Sequence, residues 1–138
     1  MSHLYAFVLA FIINLGCTNL PSEQNNGNIA GKWMPVRSVM SATENGEKSY
    51  EKTDTSFSSI DLMHFKPNGE LEDGGQRYEG YTYNRQTKEL TLHESNGDGI
   101  TFLVRTLTSQ QMIIVREDEE QYNNKRRHMK LEIYFKKR

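Results

Sequence analysis

From Arg127 to Lys136 the chain alternates strictly: Met129, Leu131, Ile133 and Phe135 take one parity, and His128, Lys130, Glu132, Tyr134 and Lys136 take the other. Successive side chains of an extended chain point to opposite faces, so this is a strand with one dry face and one wet face. The same two-residue period recurs in short runs beyond Asn28, with turn signals about every ten residues and no stretch carrying the 3.6-residue period of an amphipathic helix. The expected strands are Lys32–Met40, Ser58–Lys66, Glu70–Asp73, Tyr78–Tyr83, Glu89–Glu94, Ile100–Leu107, Met112–Glu117 and Arg127–Lys136. A chain patterned in this way folds as an all-β meander, sandwich or barrel, with no substantial helix.

Turn chemistry orders these strands. In "FKPNGEL", Pro67 and then Asn68-Gly69 stand between apolar residues, a tight-turn signal. In "YTYNRQTKELTL", Tyr81 and Tyr83 share a face with Leu92 and Leu90 across a loop near Arg85 to Thr87. Between the last two strands lies "REDEEQYNNKRRH". A loop at Gln121–Asn124 sets Glu120 against Lys125, Glu119 against Arg126 and Asp118 against Arg127. It also sets Ile114 against Leu131 and Met112 against Ile133. Exposed pairs of this kind contribute only a few tenths of a kcal/mol each, so they select register more than they stabilise. The basic run "KRRHMK" is thereby read as half of a charge-matched hairpin in preference to a nucleic-acid or membrane patch. One connection is different: Ser41 to Phe57, "SATENGEKSYEKTDTSF", is polar throughout and is expected to be a long loop of the functional or disordered kind. The short links elsewhere make the topology up-and-down. About eight antiparallel strands in one meander can close into a barrel, which removes exposed edges.

The N-terminal part is of another character. Leu4 to Ile13, "LYAFVLAFII", is an uninterrupted apolar run. It has the length of an export-signal core and falls well short of the roughly 20 residues a spanning helix needs. The stretch after Cys17, "TNLPSEQNNGN", is polar and without period, a flexible linker. Residues 1–16 are therefore expected to be an export signal, 17–28 a linker and 29–138 one folded domain. Cys17 is the only cysteine of the chain, so an internal disulfide and a cysteine-held metal are excluded. The net charge of −1 supplies no field to hold a nucleic-acid backbone.

Two short motifs carry a family resemblance. Leu15-Gly16-Cys17, directly after the apolar run, resembles the signal end of bacterial lipoproteins, with Asn14 departing from the usual leucine. That resemblance implies acylation of Cys17, cleavage before it, and anchoring of the exported protein in a membrane by the N-terminal lipid, in the periplasm or at the outer membrane of a Gram-negative bacterium. Gly31-Lys32-Trp33, at the start of the first strand and ahead of a long first loop and a series of hairpins, resembles the small lipocalin-like domains of such lipoproteins, with a calycin-type barrel. It implies an eight-stranded antiparallel barrel in which Gly31 and Trp33 close one end.

Catalytic chemistry finds no support. His3, His64, His93 and His128 form no ligand pair, and "NGDG" at Asn96–Gly99 lacks the acidic ligands of a calcium loop. No serine stands in a nucleophile elbow and no glycine-rich loop precedes a helix, so neither a cofactor nor a metal site is expected. Binding remains. If the barrel holds a small hydrophobic ligand, its mouth lies opposite Trp33, with Tyr50, Phe57, Tyr81, Tyr83 and Phe102 as candidate lining residues; the same rings equally serve as strand packing. The alternative is a filled barrel that presents loops or an outer apolar patch to a protein partner.

Overall fold

A computed structural model describes residues 29–138; Cys17, the apolar run and the linker lie outside the described residues. Nine strands form one sheet: β1 (Gly31–Glu44), β2 (Glu47–Asp54), β3 (Met63–Phe65), β4 (Leu71–Asp73), β5 (Tyr78–Asn84), β6 (Glu89–Glu94), β7 (Gly99–Leu107), β8 (Gln111–Tyr122) and β9 (Lys125–Lys137). Eight of them follow the order β4-β3-β1-β9-β8-β7-β6-β5, and β2 pairs with β1 off this path. The two ends of the path meet where Glu70 bridges Gly80 and the Tyr81 N–H donates to the Gly69 carbonyl at 2.9 Å. The result is a nearly closed antiparallel barrel, as the strand count and short connections led one to expect, and it is compatible with a calycin-like fold.

β1 explains how nine strands serve an eight-stranded barrel. Its first residues, Gly31 to Trp33, pair with β3; beyond a bulge between Pro35 and Arg37, Ser38 to Glu44 pair with β2, and β9 accompanies it along both halves. The expected long loop Ser41–Phe57 is therefore corrected: most of it is a β-hairpin turning at Asn45 (φ 51°) and Gly46 (φ 85°), the positive-φ pair that matches strand twist. All of β2 except Asp54 is exposed, so it carries no hydrophobic alternation, and "NG" was its one local signal.

Two further expectations are corrected. Ser58–Lys66 is a single 3₁₀ turn at Ser59–Asp61 followed by only three strand residues. The Asp61 carboxylate accepts the Ser58 N–H at 2.8 Å, a local bond that competes with strand pairing. The β8–β9 turn is two residues, Asn123 (φ 50°) and Asn124 (φ 63°), in place of four. The register consequently moves by two: Ile114 faces Ile133, Met112 faces Phe135 and Glu120 faces Arg127. An even shift leaves every side chain on its expected face. Runs of acids opposite runs of bases accept either register, as the Arg127–Glu120 (3.6 Å) and Arg126–Glu119 (3.7 Å) pairs show, so charge could not decide it. The pairing of Tyr81 with Leu92 and Tyr83 with Leu90 is as expected.

The barrel interior is occupied by its own side chains. Trp33, Phe65, Leu90, Met112 and Ile114 are all but fully buried, and Phe65 meets Tyr81 edge to face at 4.9 Å between ring centres. Trp33 sits where β1 begins and β9 ends. Its Nε1 donates to the Ile29 carbonyl at 2.9 Å, and the Lys137 ammonium stands 4.6 Å from the ring centre while donating to the Ala30 carbonyl at 2.8 Å. The Lys137 stem crosses Gly31 so closely that a Cβ there would lie 2.6 Å from its Cε, and Gly31 has φ +130°. Gly31, Trp33 and Lys137 thus form one packed unit at the closed end.

Candidate open-mouth site

At the end opposite Trp33, the upper halves of β1, β8 and β9, with β2, run past the barrel as a four-stranded extension. The Asn45 N–H donates to the Arg126 carbonyl at 3.1 Å and ties the two hairpin tips together. Rows of paired residues continue the inward parity of the core: Ile114 and Ile133 are followed by Arg116, Leu131, Met40 and Lys52, then by Asp118, Met129, Ala42 and Tyr50. Above the filled interior this leaves an open hollow of about 200 Å³, lined by Met40, Ile100, Arg116, Asp118, Met129 and Leu131, with Lys130 beside them. Ile100 and Leu131 pack on the core, so the top of the core is the floor of the hollow. Arg116 and Asp118 pair at 3.0 Å on its polar side. Two thioethers and two branched aliphatics make a soft, adaptable apolar surface, and a paired Arg–Asp adds no net charge.

The five candidate aromatics do not line this hollow. Tyr81, Tyr83 and Phe102 belong to the interior core, with 4%, 2% and 5% of their surface exposed. Tyr50 lies on β2, 45% exposed, in the row of Ala42 and Met129, and Phe57 is half-buried between β2 and the 3₁₀ turn. Sequence reasoning missed Met40, Ile100, Met129 and Leu131 as a site. The dry parity of β9 was legible, but only the topology shows that this dry face outruns the barrel.

Burial marks Tyr81 as core. It pushes the phenol up to about 12 from 10.0, while the hydroxyl donates to the Lys66 carbonyl at 2.5 Å. Burial likewise raises Tyr83, opposed by the charge of Arg85. In the unfolded chain Tyr81 ionises near its ordinary 10.0, and burial raises it in the fold to about 12. Below pH 10 both states are neutral and stability is complete; between 10 and 12 the unfolded chain ionises first, and stability falls. Urea midpoints measured from about pH 9 to 12 should therefore drop more steeply for the native protein than for Tyr81→Phe. Equal slopes would contradict the assignment.

The histidines are dispersed: His64 lies 3.4 Å from Glu72, His93 bonds Thr82 at 2.9 Å and His128 lies 3.6 Å from Glu117. Among the described residues no group of three metal-ligating side chains exists. "NGDG" is a hairpin turn, with Gly97 at φ +94° and the Asn96 amide on Asp98 at 3.0 Å.

A second hollow, of about 230 Å³, lies on the outward side of β7–β8 between Leu103, Arg105, Val115, Glu117 and Lys130. Leu103 is 51% exposed there, beside the Arg105–Glu132 ion pair at 2.6 Å and the Tyr134 ring, over which Arg37 stacks at 4.0 Å.

Comparison with family models, with curated proteins and with solved structures finds no match for this chain.

Proposed function

We propose that this chain is an exported, lipid-anchored binding domain of the small lipocalin-like kind, non-catalytic, which takes a small apolar group at its open mouth. The observation that carries the reading is the inward parity continuing past the filled core into a hollow whose apolar lining is Met40, Ile100, Met129 and Leu131. The Leu15-Gly16-Cys17 and Gly31-Lys32-Trp33 resemblances support it, as does the nearly closed barrel. The size of the hollow, about 200 Å³, sharpens it. Pockets that enclose whole drug-sized ligands hold roughly 300–1,000 Å³, so the occupant is a small molecule or the end of a longer apolar chain. Cys17 is the anchor in this reading, and the periplasm or outer membrane of a Gram-negative bacterium is the location.

A protein partner is the second reading. It is favoured by the filled interior together with exposed Leu103 on the outer face.

Titration with a small apolar fluorescent probe separates the two. Saturable binding is expected, weakened about tenfold or more by Met40→Asp, because a carboxylate beside the ligand must be desolvated. Leu103→Asp should leave that affinity unchanged. Probe affinity that follows Leu103 and ignores Met40 would transfer the site to the outer face.

A further inference from the structure

Charge is distributed unevenly along the barrel axis. At the open end five cations are paired, Arg77 with Glu94 at 2.9 Å, Arg116 with Asp118 at 3.0 Å, Arg126 with Glu119, Arg127 with Glu120 and Lys48 with Glu51, and two, Lys52 and Lys125, stand outside the ion pairs among the described residues. The closed end differs. The start of β1, the end of β9 and the β5–β6 turn bring Lys32, Lys136, Lys137, Arg138, Arg85 and Lys88 to it, and none of the six belongs to an ion pair among the described residues. The carboxylates nearby are Glu70 and Glu72, which Lys66 holds at 3.7 Å and 2.7 Å, and Glu89. Beside the β5–β6 turn lies an open hollow of about 340 Å³ lined by Tyr83, Arg85, Lys88, Val104, Arg105 and Leu107; Glu132 holds Arg105 at 2.6 Å, which leaves Arg85 and Lys88 as its unpaired cations among the described residues.

The chain enters the fold at this same end, through Ile29, whose carbonyl accepts the Trp33 indole. Residues 17–28 precede it, a tether of at most about 40 Å when fully extended. We infer that the closed end is a basic face that lies on an anionic lipid surface, with phosphate headgroups seated at Arg85 and Lys88 and the open mouth turned away from the membrane. This rests on the Cys17 anchor proposed above. Each cation near an anionic surface adds attraction that fades within a Debye length, so the orientation depends on salt while an acyl anchor does not.

The test uses the full chain on vesicles of neutral phosphatidylcholine and on vesicles that also contain anionic phosphatidylglycerol. Each preparation carries a fluorophore at Ser109→Cys, in the β7–β8 turn of the closed end, or at Asn96→Cys, in the β6–β7 turn of the open end, and lipids bear a headgroup quencher. Flotation with both vesicles is expected. Quenching should be several-fold stronger at position 109 than at 96 on anionic vesicles only, and should fall to the neutral-vesicle level in high salt or in the double variant Arg85→Glu, Lys88→Glu. Flotation with both vesicles but equal quenching at the two positions, or quenching indifferent to lipid charge, overturns the orientation alone. Flotation with anionic vesicles only supports the basic face and removes the anchor; flotation with neither overturns both.

Discussion

Trp33→Ala should lower stability by about 3–5 kcal/mol, the range for removing a buried large aromatic, against a total near 5–15 kcal/mol for a domain of this size. Three contributions converge on the indole. Its surface is wholly buried, its N–H satisfies the Ile29 carbonyl at 2.9 Å, and the Lys137 ammonium lies 4.6 Å from the ring centre. Alanine would leave a void at the closed end, a carbonyl without its partner and a lysine without its ring. Trp33→Phe keeps most of the packing and loses the hydrogen bond, for about 1–2 kcal/mol. Lys137→Met keeps the aliphatic stem across Gly31 and removes the charge, for about 1 kcal/mol. Urea unfolding followed by far-ultraviolet circular dichroism reads all three, since the variants at position 33 lose the chain's single tryptophan. A loss below about 1 kcal/mol for Trp33→Ala would mean that the closed end does not depend on this residue.

Phe102→Ala is expected to cost a similar 3–5 kcal/mol, and to leave binding at the mouth intact once the variant is held folded at low temperature. Phe102 is 5% exposed and lies within the core cluster with Leu90 across the β6–β7 ladder. If it were instead the wall of a ligand cavity, its removal would weaken ligand binding while costing little in stability, because the ring would already face open space. Calorimetric unfolding combined with the probe titration distinguishes these outcomes. Stability retained with affinity lost would reinstate Phe102 as a ligand contact and reopen the interior as the site.

The barrel was legible because its strands announce themselves by parity. Met129 to Phe135 fix the inward parity of β9, whose apolar face is buried only at Phe135 and half-buried above it, and the Tyr81–Leu92 and Tyr83–Leu90 pairs follow from a short loop between two alternating runs. Where no face is dry, parity is silent. β2 is exposed along nearly its whole length, so its hairpin was hidden in what read as a loop, although Asn45-Gly46 carried the turn in two letters. At the β8–β9 turn the reverse holds: parity was right, but the acidic and basic runs fit two registers equally, and the choice fell to Asn123 and Asn124, both able to take positive φ. The mouth was illegible for a different reason. Met40, Ile100 and Leu131 lie far apart in sequence, and each looks like an ordinary core residue of its own strand. They form a site only because β1, β8 and β9 are longer than the barrel they close.

Native mass spectrometry of the protein purified from its own host reads binding at that mouth without a chosen probe. A discrete additional mass is expected on the folded protein, small or chain-like and apolar, and absent from Met40→Asp prepared in the same way. Bare native protein in repeated preparations, or an added mass that Met40→Asp retains, would contradict it.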